Sequence, residues 1–270
     1  MARWVDFEND YKTMDIDFME SVWWVFKSLW EKGLIYEGVK VVPYSWRVST
    51  PLSNFEANLN YKDVQDPSVT IRFKVNGEEN LYFLAWTTTP WTLPSNMALC
   101  VGSKLKYCKI KDKKNGDYYY LTKNRINSYF ESGCYEILDE IDGNQLEGKT
   151  YEPLFDFAED HTDTSNAWTV YLDDYVSDES GTGIVHLACF GEDDVRIFQR
   201  ENISIFDPID EQGNFQNFMD FLSGKNIKDS EKPIIKRLKE EHKMFLHETV
   251  NHSYPFCWRT DTPLIYKPIS

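Results

Sequence analysis

The sequence predicts an α+β fold in which a barrel-like, mostly antiparallel β core carries peripheral helices. First, residues 69–75 alternate apolar and polar side chains, Asn76 and Gly77 offer a turn, and a second apolar segment covers 81–86, which is typical of a hairpin. Second, many short strand-like segments follow closely, which favours a barrel-like sheet over a parallel α/β sheet. Third, helical periodicity is confined to one N-terminal segment and a few short ones.

The N-terminal helix is predicted at about 17–32. Asp17 can cap it and Gly33 ends it. Apolar residues recur through the segment at helical spacing, and Trp24 and Val25 lie outside that stripe. We therefore expect this helix to pack into the core and to be covered on more than one side.

The remaining elements are short. Segments 106–110 and 118–121 flank a polar turn and predict a second hairpin. The other predicted strands lie at 134–138, 168–172 and 183–188, and the predicted short helices lie at 122–131, 192–201 and 230–243.

Composition narrows the classes of function. The 270 residues are enough for one large domain or two small ones, and 29 Lys and Arg against 44 Asp and Glu give a net charge of −15. Such acidity argues against a broad nucleic-acid coat or an anionic-membrane binder, but not against a protein that handles only the end of an RNA. The five cysteines are scattered and never spaced as CxxC, which predicts a reducing compartment without a disulfide framework. With no signal-like segment visible, we expect a soluble intracellular domain.

Charge is segregated along the middle of the chain. Residues 104–125 carry eight Lys and Arg against two Asp, whereas residues 131–163 carry one Lys against eleven Asp and Glu. The two stretches could be oppositely charged solvated faces, or the basic one could form a lip beside a functional cleft. The sequence alone leaves both interpretations open.

The first chemically unusual segment is the string WTTTPWTLPSN at 86–96. Proline cannot continue an inner strand, so the strand must end near Thr89 and the chain must turn. The clustered hydroxyls and freed backbone groups beside flat indoles suit a ribose and a base. The alternative is a threonine-rich strand end that the prolines protect from edge pairing.

The second segment is GTGIVHLACFGEDD at 181–194. A glycine-led strand runs into a loop and a helix, where acidic residues favour the helix macrodipole. Alone, these features fit a helix cap and a structural histidine equally well. A metal site built from His186, Cys189 and Asp193 lacks standard ligand spacing, and we expect neither a metal nor another cofactor.

Together the two segments resemble the editing (connective-peptide) domains of isoleucyl-tRNA synthetases. Residues 19–26 and 32–36 resemble the stretch that leaves the nucleotide-binding fold of these enzymes, and residues 252–259 resemble the returning stretch. The resemblance covers essentially the whole chain and leans toward the eukaryotic cytosolic branch. The sister valyl and leucyl editing domains read roughly TTRP in the first segment, where this chain has Thr89 before the proline.

The resemblance implies a connecting segment at 1–45, an editing domain at 46–245 and a return segment at 246–270. It also implies hydrolysis of valine wrongly esterified to the isoleucine tRNA, with valyl-adenylate as a further candidate substrate. One methylene is worth only about 1–3 kcal/mol of discrimination, a range for which isoleucyl-tRNA synthetase itself is the standard example, so a second sieve is needed. The HIGH and KMSKS signatures are absent, so we do not expect this chain to aminoacylate.

The implied partners are the 3′-terminal aminoacyl-adenosine of the isoleucine tRNA and the remainder of a cytoplasmic synthetase, with this fragment monomeric. Three alternatives stay open: a non-catalytic module that docks the tRNA 3′ end, a valyl or leucyl editing domain, and a structural insert with drifted motifs.

The resemblance also assigns roles to individual residues. Asp194 would bind the substrate α-ammonium, and His186 would act as a steric wall against isoleucine. Asn96 matches an asparagine tied to editing. Thr87, Thr88, Thr89 and Thr92 would hold the adenosine and place the attacking water, and Trp86 and Trp91 would shape the pocket.

One departure from the family pattern concerns the acidic residue. The loop after His186 lacks the usual proline and is one residue shorter, so Asp193 is the fallback if the shortening shifts the register. No Ser-His-Asp arrangement or activated cysteine is evident, so we expect direct attack by a positioned water, and no general base is identified.

Overall fold

The computed structural model describes residues 4, 6 and 8–270. Two compact units divide the chain: residues up to Val39 together with Ser270, and Lys40–Ile269. The helices are α1 (Ile16–Glu31), α2 (Asn54–Ala57), α3 (Ile126–Tyr129), α4 (Glu192–Glu201) and α5 (Ile227–Glu240). The strands are β1 (Lys40–Ser45), β2 (Thr50–Pro51), β3 (Tyr61–Lys74), β4 (Leu81–Thr87), β5 (Ala98–Val101), β6 (Lys106–Asp112), β7 (Tyr118–Thr122), β8 (Tyr135–Asp142), β9 (Thr169–Leu172), β10 (Ile184–Leu187), β11 (Met244–Pro255) and β12 (Ile265–Ile269).

In the first unit, α1 forms as predicted, with Asp15 rather than Asp17 at its N-cap and Gly33 beyond its end at a φ of +68°. None of its side chains is buried, and Trp23 and Trp30 are 68% and 60% exposed. The prediction that this helix packs into a core is therefore wrong for this structure, because the described residues of the first unit include no second helix or strand to cover it.

In the second unit, three sheets form the core. One has six strands in the order β11-β3-β4-β7-β6-β8, and the other two have the orders β10-β5-β9 and β12-β1-β2. All neighbouring strands are antiparallel except β4–β7 and β5–β9. This confirms the α+β class with a mostly antiparallel core and peripheral helices, although no sheet among the described residues closes into a barrel.

Both predicted hairpins form, as β3–β4 and β6–β7, and the strands predicted at 134–138, 168–172 and 183–188 correspond to β8, β9 and β10. Helix α4 has its predicted bounds, whereas segment 122–131 holds only a 3-10 turn and α3. The sequence did not predict β11, a strand with one buried residue that pairs with β3. It falls in the predicted return segment, and the three-part division of the chain stays a prediction.

The two charged stretches lie side by side, because β6 pairs antiparallel with β8. Lys106 lies 2.7 Å from Asp142, and Lys123 lies 2.7 Å from Glu140. Lys114 makes a similar ion pair with Glu131 at 2.9 Å. The basic and acidic stretches therefore form one mixed-charge surface, which favours neither two separate faces nor a basic lip.

Strand pairing also brings the two sequence motifs together. The 3-10 helix Pro90–Ser95 follows β4 and leads directly into β5, whose Leu99 lies opposite His186 of β10. The Met97 amide donates to the Leu187 carbonyl at 3.1 Å, which extends this pairing toward the loops. As a result, the threonine-rich loop and the start of α4 meet at one end of the β5–β10 pair.

Candidate active site

A cavity of about 240 Å³ lies where these segments meet. It has three walls, formed by the loop after β4, by the β10–α4 connection, and by the two C-terminal strands β11 and β12. The residues on these walls are Thr87, Thr89, Trp91 and Thr92; His186, Ala188, Phe190, Gly191 and Asp194; and Tyr254 and Tyr266.

The threonines of the first wall are bonded to one another. The Thr89 amide donates to the Thr87 hydroxyl at 3.1 Å, and the Thr92 hydroxyl donates to the Thr89 carbonyl at 2.9 Å. Pro90 and Pro94 have no amide hydrogen, so these side chains replace part of the missing backbone bonding. The loop is thereby fixed with hydroxyl groups at the cavity.

His186 is 8% exposed, and both of its ring nitrogens are engaged. Nε2 lies 3.0 Å from the Thr92 hydroxyl, and Nδ1 lies 2.8 Å from the Asn96 amide nitrogen. Burial lowers the pKa of His186 to about 3, so the ring is neutral at physiological pH. With both nitrogens committed, the ring can offer only carbon to the cavity, which suits a steric wall better than a general base.

Asp194 lies in the first turn of α4, where its carboxylate accepts a hydrogen bond from the Ala188 amide at 3.1 Å. A Cβ added at Gly191 would lie 2.7 Å from the Asp194 carboxyl carbon, so the carboxylate occupies the space that only a glycine leaves. Burial, helped by the charge of Asp193, raises the pKa of Asp194 to about 7, although the Ala188 amide opposes the rise. Within the described residues no Lys, Arg or His forms an ion pair with Asp194, so this half-buried acid can receive a cation.

The cavity gathers six of the predicted site residues, namely Thr87, Thr89, Trp91, Thr92, His186 and Asp194. Thr88 and Trp86 are half-buried off its walls, and Trp86 packs against Gly181. Asn96 is buried behind His186. Asp193 points elsewhere, with an ion pair to Arg196 at 3.0 Å, so the shortened loop still places Asp194 at the cavity.

Two tyrosines on the third wall were missed. The Tyr254 hydroxyl donates to the Leu264 carbonyl at 2.8 Å, which fixes the ring, while Tyr266 is partly exposed. Both belong to the stretch that the sequence suggested only as a return segment. No periodicity there signals a site, and only strand pairing carries these rings to the cavity.

Comparison with known proteins identifies the family to which the chain belongs. The family described as tRNA synthetases class I (I, L, M and V) matches residues 1–249, so the chain belongs to the class I tRNA synthetases. Within that family, the sequence relatives are isoleucine–tRNA ligases. The chain is 50% identical to the cytoplasmic isoleucine–tRNA ligase of Mus musculus, 48% identical to the isoleucine–tRNA ligase of Chlamydia trachomatis and 45% identical to the cytoplasmic isoleucine–tRNA ligase of Arabidopsis thaliana.

These matches cover 99–100% of this chain but only 22–26% of the length of each relative. The fold resembles the crystal structure of GlLeuRS-CP1, with a TM-score of 0.51 and 13% identity over 67% of this chain and 99% of that chain. It also resembles the Plasmodium knowlesi cytosolic leucyl-tRNA synthetase editing domain, with a TM-score of 0.50 and 11% identity over 68% and 96% of the two chains. The predicted resemblance to an isoleucyl editing domain is confirmed, and the mouse and Arabidopsis relatives support its eukaryotic lean.

In the part of the chain that the structure describes, no three His, Cys, Asp or Glu side chains are grouped to hold a metal ion. None of the helices there combines the length and apolarity needed to cross a bilayer.

Proposed function

We propose that this chain is the proofreading part of a longer isoleucyl-tRNA synthetase and hydrolyses valine wrongly esterified to the isoleucine tRNA. Asp194 carries this proposal, because it is a half-buried carboxylate at a cavity with no ion-pair partner among the described residues. An aminoacyl ester brings that cation as its α-ammonium group. A charge-assisted bond to the ammonium would hold the ester carbonyl in a fixed position for attack.

Size selection would come from His186, which lies on the same cavity wall as Asp194. The volume of about 240 Å³ is below the range of about 300–1,000 Å³ that is usual for ligand pockets. His186 is held rigidly by Thr92 and Asn96, so it can yield little to an extra methylene. Valine would enter beside it, and isoleucine would be excluded.

The chemical step would be direct hydrolysis. A water oxygen bonds to the ester carbonyl carbon, the bond from that carbon to the ribose oxygen breaks, and the ribose oxygen takes up a proton. The Thr87 and Thr89 hydroxyls are hydrogen-bonded to each other at 3.1 Å, the Thr92 hydroxyl donates to the Thr89 carbonyl, and the three hydroxyls at the cavity can orient the water. Because His186 is neutral with both nitrogens occupied, we assign it no proton transfer, and the free ribose hydroxyl of the substrate is the candidate that assists.

The partners follow from the size of the chain. The relatives are about four times longer, so the remainder of the synthetase would hold the body of the tRNA while only the terminal aminoacyl-adenosine enters this cavity. The mouse and Arabidopsis relatives are described as cytoplasmic, and we place this chain in the same compartment.

Deacylation of valyl-tRNA of the isoleucine isoacceptor tests the proposal. Asp194→Ala should reduce the loss of valine to the uncatalysed rate, because the ammonium loses its partner. Asp193→Ala is the matched control, since it removes a neighbouring carboxylate that faces Arg196, and it should retain activity. If the unsubstituted chain binds this tRNA but releases no more valine than Asp194→Ala, the chain is a docking module and the hydrolase proposal fails.

The same assay with isoleucyl-tRNA tests whether His186 excludes isoleucine from the cavity. His186→Ala should hydrolyse the isoleucine ester, which the unsubstituted chain spares, because truncation opens space beside Thr92. The ratio of valine to isoleucine hydrolysis is the measurement. If His186→Ala still spares isoleucine while it hydrolyses valine, another residue excludes the larger side chain.

A further inference from the structure

A series of hydrogen bonds between side chains continues behind His186, away from the cavity. The Tyr151 hydroxyl donates to the Asn96 side-chain oxygen at 2.8 Å. Tyr151 is 1% exposed, its ring packs edge-on against Phe73 at 5.3 Å, and it forms no part of the cavity walls. Its hydroxyl therefore reaches the site only through Asn96.

The donors and acceptors in this series of hydrogen bonds can be assigned in only one direction. The Asn96 nitrogen faces the Ala98 carbonyl at 2.9 Å, and a carbonyl can only accept, so this atom is the NH₂ group. The Asn96 oxygen must then accept from Tyr151, and the second amide hydrogen points to His186 Nδ1 at 2.8 Å, which is much closer than the alternative acceptor, the Leu187 carbonyl at 3.5 Å. A neutral imidazole that accepts at Nδ1 carries its hydrogen on Nε2.

The direction continues into the cavity wall. The His186 Nε2–H group donates to the Thr92 hydroxyl oxygen at 3.0 Å, and the Thr92 hydroxyl donates to the Thr89 carbonyl at 2.9 Å. With its hydrogen committed to the Thr89 carbonyl and one lone pair to His186, Thr92 has one lone pair left, which the Thr89 hydroxyl approaches only at the long distance of 3.5 Å. It can therefore offer the cavity an acceptor, which suits a water that must point a hydrogen at the wall.

We propose that Tyr151 is a positioning residue that fixes the tautomer of His186 through Asn96 and so determines which way the Thr92 hydroxyl points. The catalytic part of this inference rests on the proposed hydrolysis, whereas the tautomer does not. Without the Tyr151 hydroxyl, the buried Asn96 oxygen has no donor, and a half-turn of the amide would set that oxygen against the Ala98 carbonyl. The amide would have to leave its position, and His186 Nδ1 would lose its hydrogen-bond donor.

The test is Tyr151→Phe in the full 270-residue chain, which removes one oxygen and keeps the ring against Phe73. Long-range ¹⁵N–¹H spectra of the ¹⁵N-histidine-labelled protein should show the Nε2–H tautomer for His186 in the unsubstituted chain and a mixture with Nδ1–H in the variant. The kcat for valyl-tRNA should fall about tenfold, as expected for one lost buried hydrogen bond, with KM unchanged.

Tyr119→Phe is the matched control. Tyr119 is equally buried, and its hydroxyl accepts from the Asn115 amide at 2.9 Å, away from the cavity. This variant should keep both the tautomer and kcat, while chemical denaturation verifies that both variants fold.

Two results would overturn the proposal: an Nδ1–H tautomer in the unsubstituted chain, or a folded Tyr151→Phe protein with unchanged His186 spectra. If the chain proves not to hydrolyse valyl-tRNA, the spectra still decide the tautomer, so failure of the proposed function and failure of this inference are distinguishable.

Discussion

At the scale of single residues, Asp194 lowers the free energy of unfolding of the ligand-free protein. Its carboxylate is buried against Gly191, with one backbone hydrogen bond and no ion pair among the described residues. A substrate ammonium would return the balancing charge. The ligand-free site therefore destabilises the folded chain, and this effect should be measurable as a pH dependence of the free energy of unfolding.

The sign of that dependence follows from the raised pKa of Asp194, which is about 7 in the folded chain against 3.8 ordinarily. Between these values the folded chain binds a proton that the unfolded chain has released, so the free energy of unfolding should fall as pH rises from about 4 to about 7. The full penalty, on the order of 4 kcal/mol, should apply above pH 7. Asp194→Asn keeps an acceptor for the Ala188 amide and should remove the part of the pH dependence of the free energy of unfolding that Asp194 causes.

Urea unfolding at pH 5 and pH 8 measures the effect. The stability gained by Asp194→Asn over the unsubstituted chain should be larger at pH 8, whereas Asp193→Asn, which removes only a neighbouring charge that helps to raise the Asp194 pKa, should give a much smaller difference. If the stability gained by Asp194→Asn is the same at both pH values, the pKa of Asp194 is not raised in the folded chain.

The sequence predicted the residues whose chemistry is unusual for a strand end and missed those that reach the cavity through pairing. The threonines belong to a string of unusual composition, whereas His186 and Asp194 were assigned through the resemblance to a family that the two strings carry together. Tyr254 reaches the cavity because β11 pairs with β3, and no local pattern encodes a partner almost 200 residues away. Asn96 belongs to the first of these strings, but the sequence does not show that its side chain hydrogen-bonds to His186 and to Tyr151. Only the structure shows these two contacts.

At the scale of elements, the β6–β8 pair accounts for the segregated charges. Strand alternation predicted both strands, but their register, which sets Lys106 opposite Asp142, depends on tertiary pairing. Likewise, α1 was recognised from its periodicity, while its exposure could not be, since periodicity identifies an apolar face and not what covers it. Local patterns thus gave the elements, and non-local contacts decided their surroundings.

The pairing of β6 and β8 predicts that the basic stretch is not an RNA-binding surface. Replacing Lys106, Lys114 and Lys123 with glutamine should leave kcat/KM for valyl-tRNA within about twofold, because each ammonium is already paired with a carboxylate. The control variant neutralises the partners, as Glu131→Gln, Glu140→Gln and Asp142→Asn, and should behave alike. A tenfold loss confined to the lysine variant would instead identify these side chains as phosphate contacts.

At the scale of the whole molecule, the net charge of −15 limits how much RNA this chain can hold. If only the terminal aminoacyl-adenosine enters the cavity, few phosphates are neutralised and few counterions are released. Binding should then be weak, and the missing remainder of the synthetase would supply most of the affinity.

Kinetics at varied salt can measure this limit. A plot of log kcat/KM for valyl-tRNA against log salt should have a slope no steeper than about −2, as for one or two phosphate contacts. A valyl ester on a short oligonucleotide that ends in the same 3′ sequence should give a similar slope. A slope near −5 with the intact tRNA alone would reveal an extended RNA surface on this chain.

The pairing of β1 with β12 sets Lys40 opposite Ile269, so the polypeptide enters and leaves the second unit through adjacent antiparallel strands. Partners in such a ladder have Cα atoms only about 5 Å apart. That is the span of an ordinary surface loop, so a host protein could accept the whole unit in place of one loop without its own ends being drawn apart. The architecture is that of a cassette, which can be gained, lost or transplanted as a block while the host keeps its fold.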